Sequence, residues 1–317
     1  EVQAGVVINA TGAWADELRC GVCDGPSLRR LRGSHLVFPS SRLPLTRAIS
    51  MQHPDDRRYV FALPWEGVTL IGTTDVDHEP PMECEPVISP QEIEYLLHFA
   101  RRAFPDQNLE PEDIQATFAG VRPVVGTGKA DPSKESREHV LWCENGLITV
   151  TGGKLTTFRL MAHDALRVAG QMLSGKPEFN KENRCLDPPP VKAIFQAACE
   201  LSPALRLRLS GRYGSEAPEV ISAAGENELT TIRGTQALWA ELRWAARSEG
   251  VIHLEDLLLR RLRLGLLLPH GGLDDLQEIR EIAQPELGWD DARWMREARL
   301  YTELWQQCYH IPVRSQL

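Results

Sequence analysis

The chain has 317 residues, 42% of them hydrophobic and 25% charged, and a net charge of −9. That length and apolar content support a globular protein of one large or two smaller domains. The acidic balance offers no basic field for nucleic acid. Apolar runs such as 264–268 fall far short of the ~20 residues that span a bilayer. A soluble or peripheral protein is expected. Seven cysteines, an odd number scattered along the chain, fit a reducing compartment. Cys20-Gly-Val-Cys23 is a close pair, but it lacks a second pair for zinc and a thioredoxin-like context for redox work.

In chain order, Gly5-Val6-Val7-Ile8-Asn9-Ala10 reads as a fully buried strand of a parallel sheet, and Thr11-Gly12-Ala13-Trp14-Ala15 turns into a helix. A lone buried strand needs sheet neighbours, which predicts that the chain is the C-terminal part of a longer protein. Residues 33–72 have a β pattern: Ser34 to Phe38, Tyr59 to Leu63 and Thr69 to Gly72, broken by Pro39, Pro44, Pro64 and Gly67. Ser89-Pro90-Gln91-Glu92 is a capping box with proline at the first helical position. Ile93, Leu96, Leu97 and Ala100 give that helix its apolar face. Two further strands are expected near residues 117–125 and 139–143.

Leu147, Ile148 and Val150 form a short apolar strand that runs through Thr151-Gly152-Gly153-Lys154 into a periodic helix with Leu160, Met161, Ala165 and Leu166. A strand, two glycines and a helix start bearing a lysine suit an electron-rich group. The spacing is not that of a nucleotide P-loop, so the glycines suggest close approach of backbone to a flat ligand. A tight turn with a surface lysine is the alternative. Residues 176–191 are polar and proline-rich, the composition of a linker, which separates 1–175 from 192–317. The last part is helical: Ser202-Pro203 opens a segment with Leu205, Leu207 and Leu209, and Leu238, Leu242, Leu257, Leu258, Ile279 and Ile282 continue the stripes. Trp239, Trp244, Trp289, Trp294 and Trp305 read as packing residues of a small bundle.

Three polar residues outside the glycine turn could do chemistry. Arg122, in Gly-Val-Arg-Pro, lies where a strand pattern ends, and Arg137 opens the next strand. Two such guanidinium groups could converge on a small anion, or could be solvated loop charges. His35 shares a strand face with Val37. It is a satisfied core residue or, if its face borders a pocket, a general base. Thr73-Thr74-Asp75 reads as a turn or helix-start cap.

Together these segments resemble the FAD-dependent glycerol-3-phosphate dehydrogenases of the D-amino-acid-oxidase-like flavoprotein group. The resemblance rests on Val6 to Asp16, Gly33-Ser34-His35-Leu36-Val37, Pro64-Trp65, and Ile71-Gly72-Thr73-Thr74-Asp75. Gly120-Val121-Arg122-Pro123, Ser136-Arg137-Glu138 and Gly152 to Arg159 complete it. Gly211-Arg212-Tyr213-Gly214 and the segment 257–265 extend it into the helical part. Two departures stand out: the Gly-x-Gly-x-x-Gly fingerprint that seats the FAD pyrophosphate is absent, and Phe158 stands where tyrosine is frequent.

The resemblance implies an α/β (α+β) fold: part of a FAD-binding Rossmann-like domain, a mixed-sheet substrate domain and a C-terminal helical domain. It implies FAD-dependent oxidation of sn-glycerol 3-phosphate to dihydroxyacetone phosphate, with electrons passed to a quinone at a membrane surface, by an enzyme that could be a homodimer. His35 would be the base. Arg122 and Arg137 would hold the substrate. Lys154, Gly152, Gly153, Leu155 and Thr156 would border the flavin, with Ala10, Thr11, Gly12 and Trp14 along the cofactor. Competing readings are a related flavin-dependent oxidase of an amino or hydroxy acid, and an inactive fragment or partner-binding helical module. No metal is expected.

Overall fold

In the computed structural model, residues 3–22, 28–126, 138–173 and 201–311 are described. The first part alternates strands and helices: β1 (Val7–Asn9), α1 (Ala15–Arg19), β2 (Leu28–Pro39), β3 (Ile49–Gln52), β4 (Tyr59–Trp65), β5 (Val68–Gly72) and β6 (Val76–Asp77). There follow α2 (Pro90–Ala103), β7 (Ala116–Val125), β8 (His139–Glu144), β9 (Leu147–Gly152) and α3 (Phe158–Met172). From Pro203 onward the described elements are helical, including Pro203–Tyr213, Trp239–Ser248, Leu276–Leu287 and Asp291–Cys308. The architecture is mixed α/β with a helical C-terminal part, as expected. The linker assigned to 176–191 lies outside the described residues. The chain groups into two compact units, Glu1–Ser34, Thr74–Pro86 and Ala119–Asn183 in the first and His35–Thr73, Val87–Phe118 and Arg184–Leu317 in the second.

In the first unit β9 is central, with β1 parallel on one side and β8 antiparallel on the other. Asn145 (φ 46°) and Gly146 (φ 85°) turn β8 into β9, the two left-handed residues that a tight hairpin with the strands' own twist requires. The Asn9 side chain ties β1 to both neighbours: its amide donates to the Ala15 carbonyl at 2.9 Å and to the Thr149 hydroxyl at 3.3 Å. Arg19 is 3% exposed, paired with Asp16 and Glu144 and stacked 4.0 Å from the Trp142 ring centre. One expectation needs correction. Strand β1 is parallel but not fully buried: Asn9 is enclosed, whereas Val7 is 48% and Ile8 38% exposed. Among the described residues β1 pairs with β9 alone, and Ile8 lines the cavity described below.

In the second unit β3, β4, β5 and the end of β2 form an antiparallel sheet. Period-2 alternation sends Leu36, Phe38, Val60, Ala62 and Ile71 into a core with Ile93, Leu96, Leu97, Phe99 and Ala100 of α2. The opposite residues Val37 and Val68 enter a second core, built from Leu242, Leu257, Leu258, Ile279 and their helical neighbours. Helix α2 begins as the sequence indicated, with Ser89 accepting from the Glu92 N–H and Glu92 closing the capping box. Four of the five tryptophans read as packing residues are buried: Trp239, Trp289, Trp294 and Trp305. Glu241, fully buried, accepts from Arg208, the Tyr213 hydroxyl and the Leu238 N–H, so its charge is both paired and hydrogen-bonded.

The helices Trp239–Ser248 and Leu276–Leu287 are joined by Glu286, which accepts from Arg243 and Arg247. The Arg247 hydrogen bond first, and that from Arg243, hold the Glu286 carboxyl below its ordinary range despite its burial. A depressed folded-state pKa stabilises the fold above the unfolded carboxylate value of about 4.3, and that gain disappears as pH falls through the lower folded value. Glu286→Gln is therefore expected to be less stable than wild type at neutral pH, with the gap closing on acidification. Urea unfolding at a series of pH values checks this; a gap that stays constant would show that the ion pair contributes nothing.

Candidate functional site

The first unit holds two cavities that share Pro123, Gly152, Gly153, Lys154 and Leu155 as lining residues. The larger, about 750 Å³, is walled mainly by apolar side chains: Ile8 and Val150 from the sheet, Phe158, Met161, Ala165 and Leu166 from α3. Ala10 and Gly12 also line it. The smaller, about 340 Å³, adds Leu31, Asp75 and Arg122.

The glycine pair forms the shared wall because no other residue fits its backbone. Gly152 and Gly153 have φ of 73° and 72°, the left-handed region that L side chains resist. A Cβ on Gly152 would stand 2.6 Å from the Glu138 carbonyl oxygen, and one on Gly153 2.6 Å from Met161 Sδ. The bare backbone thus reaches the cavity, and the chain can turn into α3 beneath it. Lys154 is exposed at this rim. Its N–H donates to the Thr157 hydroxyl at 3.2 Å, and that hydroxyl donates back to the Lys154 carbonyl at 2.9 Å. Behind the glycines, His139 of β8 lies 3.1 Å from the Asp164 carboxylate of α3, which braces strand against helix.

Arg122 is not at a strand end, as its proline neighbour suggested. Strand β7 continues through Pro123 to Val125, which is tolerated where the ladder needs no N–H at that residue. The guanidinium donates to the Thr74 carbonyl at 3.0 Å and lies 3.7 Å from the Asp75 carboxylate. Asp75 is 7% exposed, so the pair sits in a partly desolvated recess where charge acts strongly. The Thr-Thr-Asp segment, whose sequence reads as a turn or helix-start cap, orients this arginine. Nothing in the local pattern signals that, because the partners are far apart in the chain.

The structure therefore brings Arg122, Lys154, Gly152 and Gly153 to one pair of cavities. Ala10, Gly12 and Leu155 join them at the larger one, whereas Trp14, Thr11 and Thr156 are not among its lining residues. His35 is grouped with the second unit, half-buried and stacked on Phe118 with ring centres 4.6 Å apart and planes 5° from parallel. Arg137 lies outside the described residues. Sequence reasoning named Ile8 and the α3 residues Met161, Ala165 and Leu166 as strand and helix without seeing that they wall a cavity; their apolar period carried the signal.

A cavity of this size with apolar walls, a bare backbone edge and a cation at its rim suits a flat ring system with one polar edge. A model of the family described as FAD dependent oxidoreductase matches residues 1–159. The chain belongs to that family. Residues 181–294 match the C-terminal domain of alpha-glycerophosphate oxidase. Among known proteins it is similar to glycerol-3-phosphate dehydrogenase 2 of Mycobacterium bovis, 32% identical over 315 residues, which are 95% of this chain and 53% of the relative. The aerobic glycerol-3-phosphate dehydrogenase of Staphylococcus haemolyticus is 30% identical over 281 residues, 82% of this chain and 50% of that protein. The structure of the glycerol-3-phosphate dehydrogenase from Bacillus halodurans complexed with FAD superposes with a TM-score of 0.74 at 26% identity, over 96% of this chain and 62% of that one. The chain thus spans about half the length of the curated relatives it matches. No helix among the described residues is long and apolar enough to cross a membrane.

Proposed function

We propose that the protein takes part in FAD-dependent oxidation of sn-glycerol 3-phosphate to dihydroxyacetone phosphate, with electrons leaving to a quinone. The observation that carries this reading is the shared wall: an anion-seeking guanidinium in one cavity and the glycine–lysine turn of a flavoprotein family in the next, with Gly152, Gly153 and Lys154 between them. The relatives at about 30% identity named for this substrate support it. When bound, the flavin would supply the acceptor for the hydride from substrate C2.

In this reading the chain's own residues have distinct tasks. Gly152, Gly153 and the apolar wall from Ile8, Val150 and Met161 would hold the ring and exclude water from its face. Lys154 would place a positive charge at the ring's polar edge, favouring the electron-rich state. Arg122, oriented by Asp75 and the Thr74 carbonyl, would grip the substrate phosphate, and Arg137 would share that charge. His35 is the proposed base for the C2 hydroxyl proton. Delivery to a quinone would put the protein at the inner membrane surface as a peripheral enzyme. Residues 1–175 would form the flavin and substrate part and 192–317 the helical part.

The test is the full-length, flavin-loaded protein assayed with glycerol 3-phosphate, glycerol, amino acids and hydroxy acids, with a quinone analogue or oxygen as acceptor. Turnover of glycerol 3-phosphate with quinone is expected. Lys154→Met is expected to lower the flavin reduction potential and to lower kcat by less than the ~10²-fold of an enclosed preorganised charge, because Lys154 stands exposed at the rim. Turnover of an amino or hydroxy acid alone would replace the substrate assignment, and no turnover at all would favour a non-enzymatic role.

A further inference from the structure

The hairpin between β3 and β4 carries His53-Pro54-Asp55-Asp56. It is closed by the His53 N–H on the Arg58 carbonyl at 2.8 Å and the Arg57 N–H on the His53 carbonyl at 3.0 Å. Helix α2 presents Tyr95 and His98 to it, three residues apart and so neighbours on one helix face. The His53 ring lies flat on Tyr95, with centroids 3.7 Å apart, and edge-on to His98 at 5.5 Å. All of these residues belong to the second unit.

The hydrogen-bonding roles of the two His53 ring nitrogens follow from their partners. Nε2 lies 2.8 Å from the Tyr95 carbonyl oxygen, which can only accept, so the ring proton is on Nε2. Nδ1 then offers a lone pair and accepts the Asp55 N–H at 3.2 Å. An imidazole whose outer N–H is pinned by a carbonyl is oriented as metal-bound histidines are. Asp55 Oδ2 is 3.7 Å from His53 Nδ1 and 3.3 Å from His98 Nδ1. One ligand atom from each of the three residues lies within 4.8 Å of the others. Donors about 2.0–2.1 Å from a tetrahedral Zn²⁺ stand roughly 3.4 Å apart, and the two measured spacings bracket that value.

We propose that His53, Asp55 and His98 bind a divalent transition metal of the Zn²⁺ type, which clips the β3–β4 hairpin to α2. Two imidazoles favour such an ion over Mg²⁺ or Ca²⁺, which prefer oxygen ligands. His53 is enclosed, while the Asp55 and His98 side chains are 58% and 50% exposed. That opening admits the ion and a water as fourth ligand. Asp56 is engaged by Arg58 and the Tyr95 hydroxyl and is not counted as a ligand. The ion would replace the long Asp55 N–H bond to Nδ1, and the residue giving up that bond is the one that supplies the carboxylate.

The test uses chelator-treated full-length protein titrated with Zn²⁺ by calorimetry and with Co²⁺ by visible absorption, beside His98→Gln and Asp55→Asn. Both substitutions fall on half-exposed side chains, and thermal unfolding without metal verifies that the variants fold. The expected result is one binding equivalent that each variant weakens about tenfold or more. Zn²⁺ should also raise the unfolding midpoint of wild type, an effect that Mg²⁺ does not reproduce and the variants lose. Wild type without that equivalent, variants with unchanged stoichiometry and affinity, or an equal midpoint rise with Mg²⁺ would overturn the proposal.

Discussion

Arg122→Ala in the full-length, flavin-loaded protein is expected to lower kcat/KM for glycerol 3-phosphate by about 10²–10³-fold, the scale for losing one fixed cationic donor from a partly dry site. Glycerol, which has no phosphate to grip, should lose far less. The reasoning runs from the recess itself: the Thr74 carbonyl at 3.0 Å and Asp75 at 3.7 Å fix the guanidinium plane beside a cavity of about 340 Å³. Arg122→Lys should recover only part of the loss, because a point charge cannot reproduce a planar fork held by a carbonyl and a carboxylate. Steady-state kinetics on both substrates decides the matter. Equal losses on glycerol and glycerol 3-phosphate, with the fold intact by circular dichroism, would mean that Arg122 braces the Thr74–Asp75 segment and does not recognise phosphate.

Gly152→Ala should cost about 2–4 kcal/mol of stability and deplete the purified protein of flavin. About 1–2 kcal/mol of that comes from holding a Cβ-bearing residue in the left-handed region. The rest comes from collision with the Glu138 carbonyl oxygen, 2.6 Å from the new Cβ, a backbone atom that cannot swing aside as a side chain can. Gly146→Ala separates the two contributions: its φ is 85°, but a Cβ there meets nothing within 4 Å, so it pays the conformational cost alone. Chemical denaturation of both variants, with flavin absorbance as a second readout, checks this. Similar losses for the two would show that the close approach at Gly152 has no energetic weight.

Much of the fold was legible because local rules suffice for it. The capping box at Ser89, the alternation through Leu36, Val37 and Phe38, and the apolar face of α2 each follow from a periodicity or a hydrogen-bond pattern within a few residues. The glycine–lysine turn was legible for the same reason, since two adjacent glycines before a helix announce an unusual backbone. Strand β3 went unread, being four residues long with half-exposed apolar positions. The burial of β1 was misjudged because burial depends on neighbours that a strand's own residues do not name.

The site was legible only in part. Arg122 stands out in the sequence as a charge beside a strand pattern, but Thr73-Thr74-Asp75 has the local pattern of a turn or cap, and the cavity walls have that of ordinary helix and strand. His53 and His98 drew no attention at all, because a ligand set drawn from a hairpin and a helix has no sequence spacing to recognise.

By itself, the sequence determined the strand and helix segments, the conformationally demanding glycines and the residues able to carry charge, since these depend on side-chain chemistry and short-range sterics. Tertiary structure alone decided that Arg122 faces Asp75 and that one face of a sheet packs on α2 while the other joins the C-terminal helices. It also decided that two histidines and an aspartate share one corner. Those outcomes rest on close packing between segments distant in the chain, and packing selects partners by shape and burial, which no local pattern encodes.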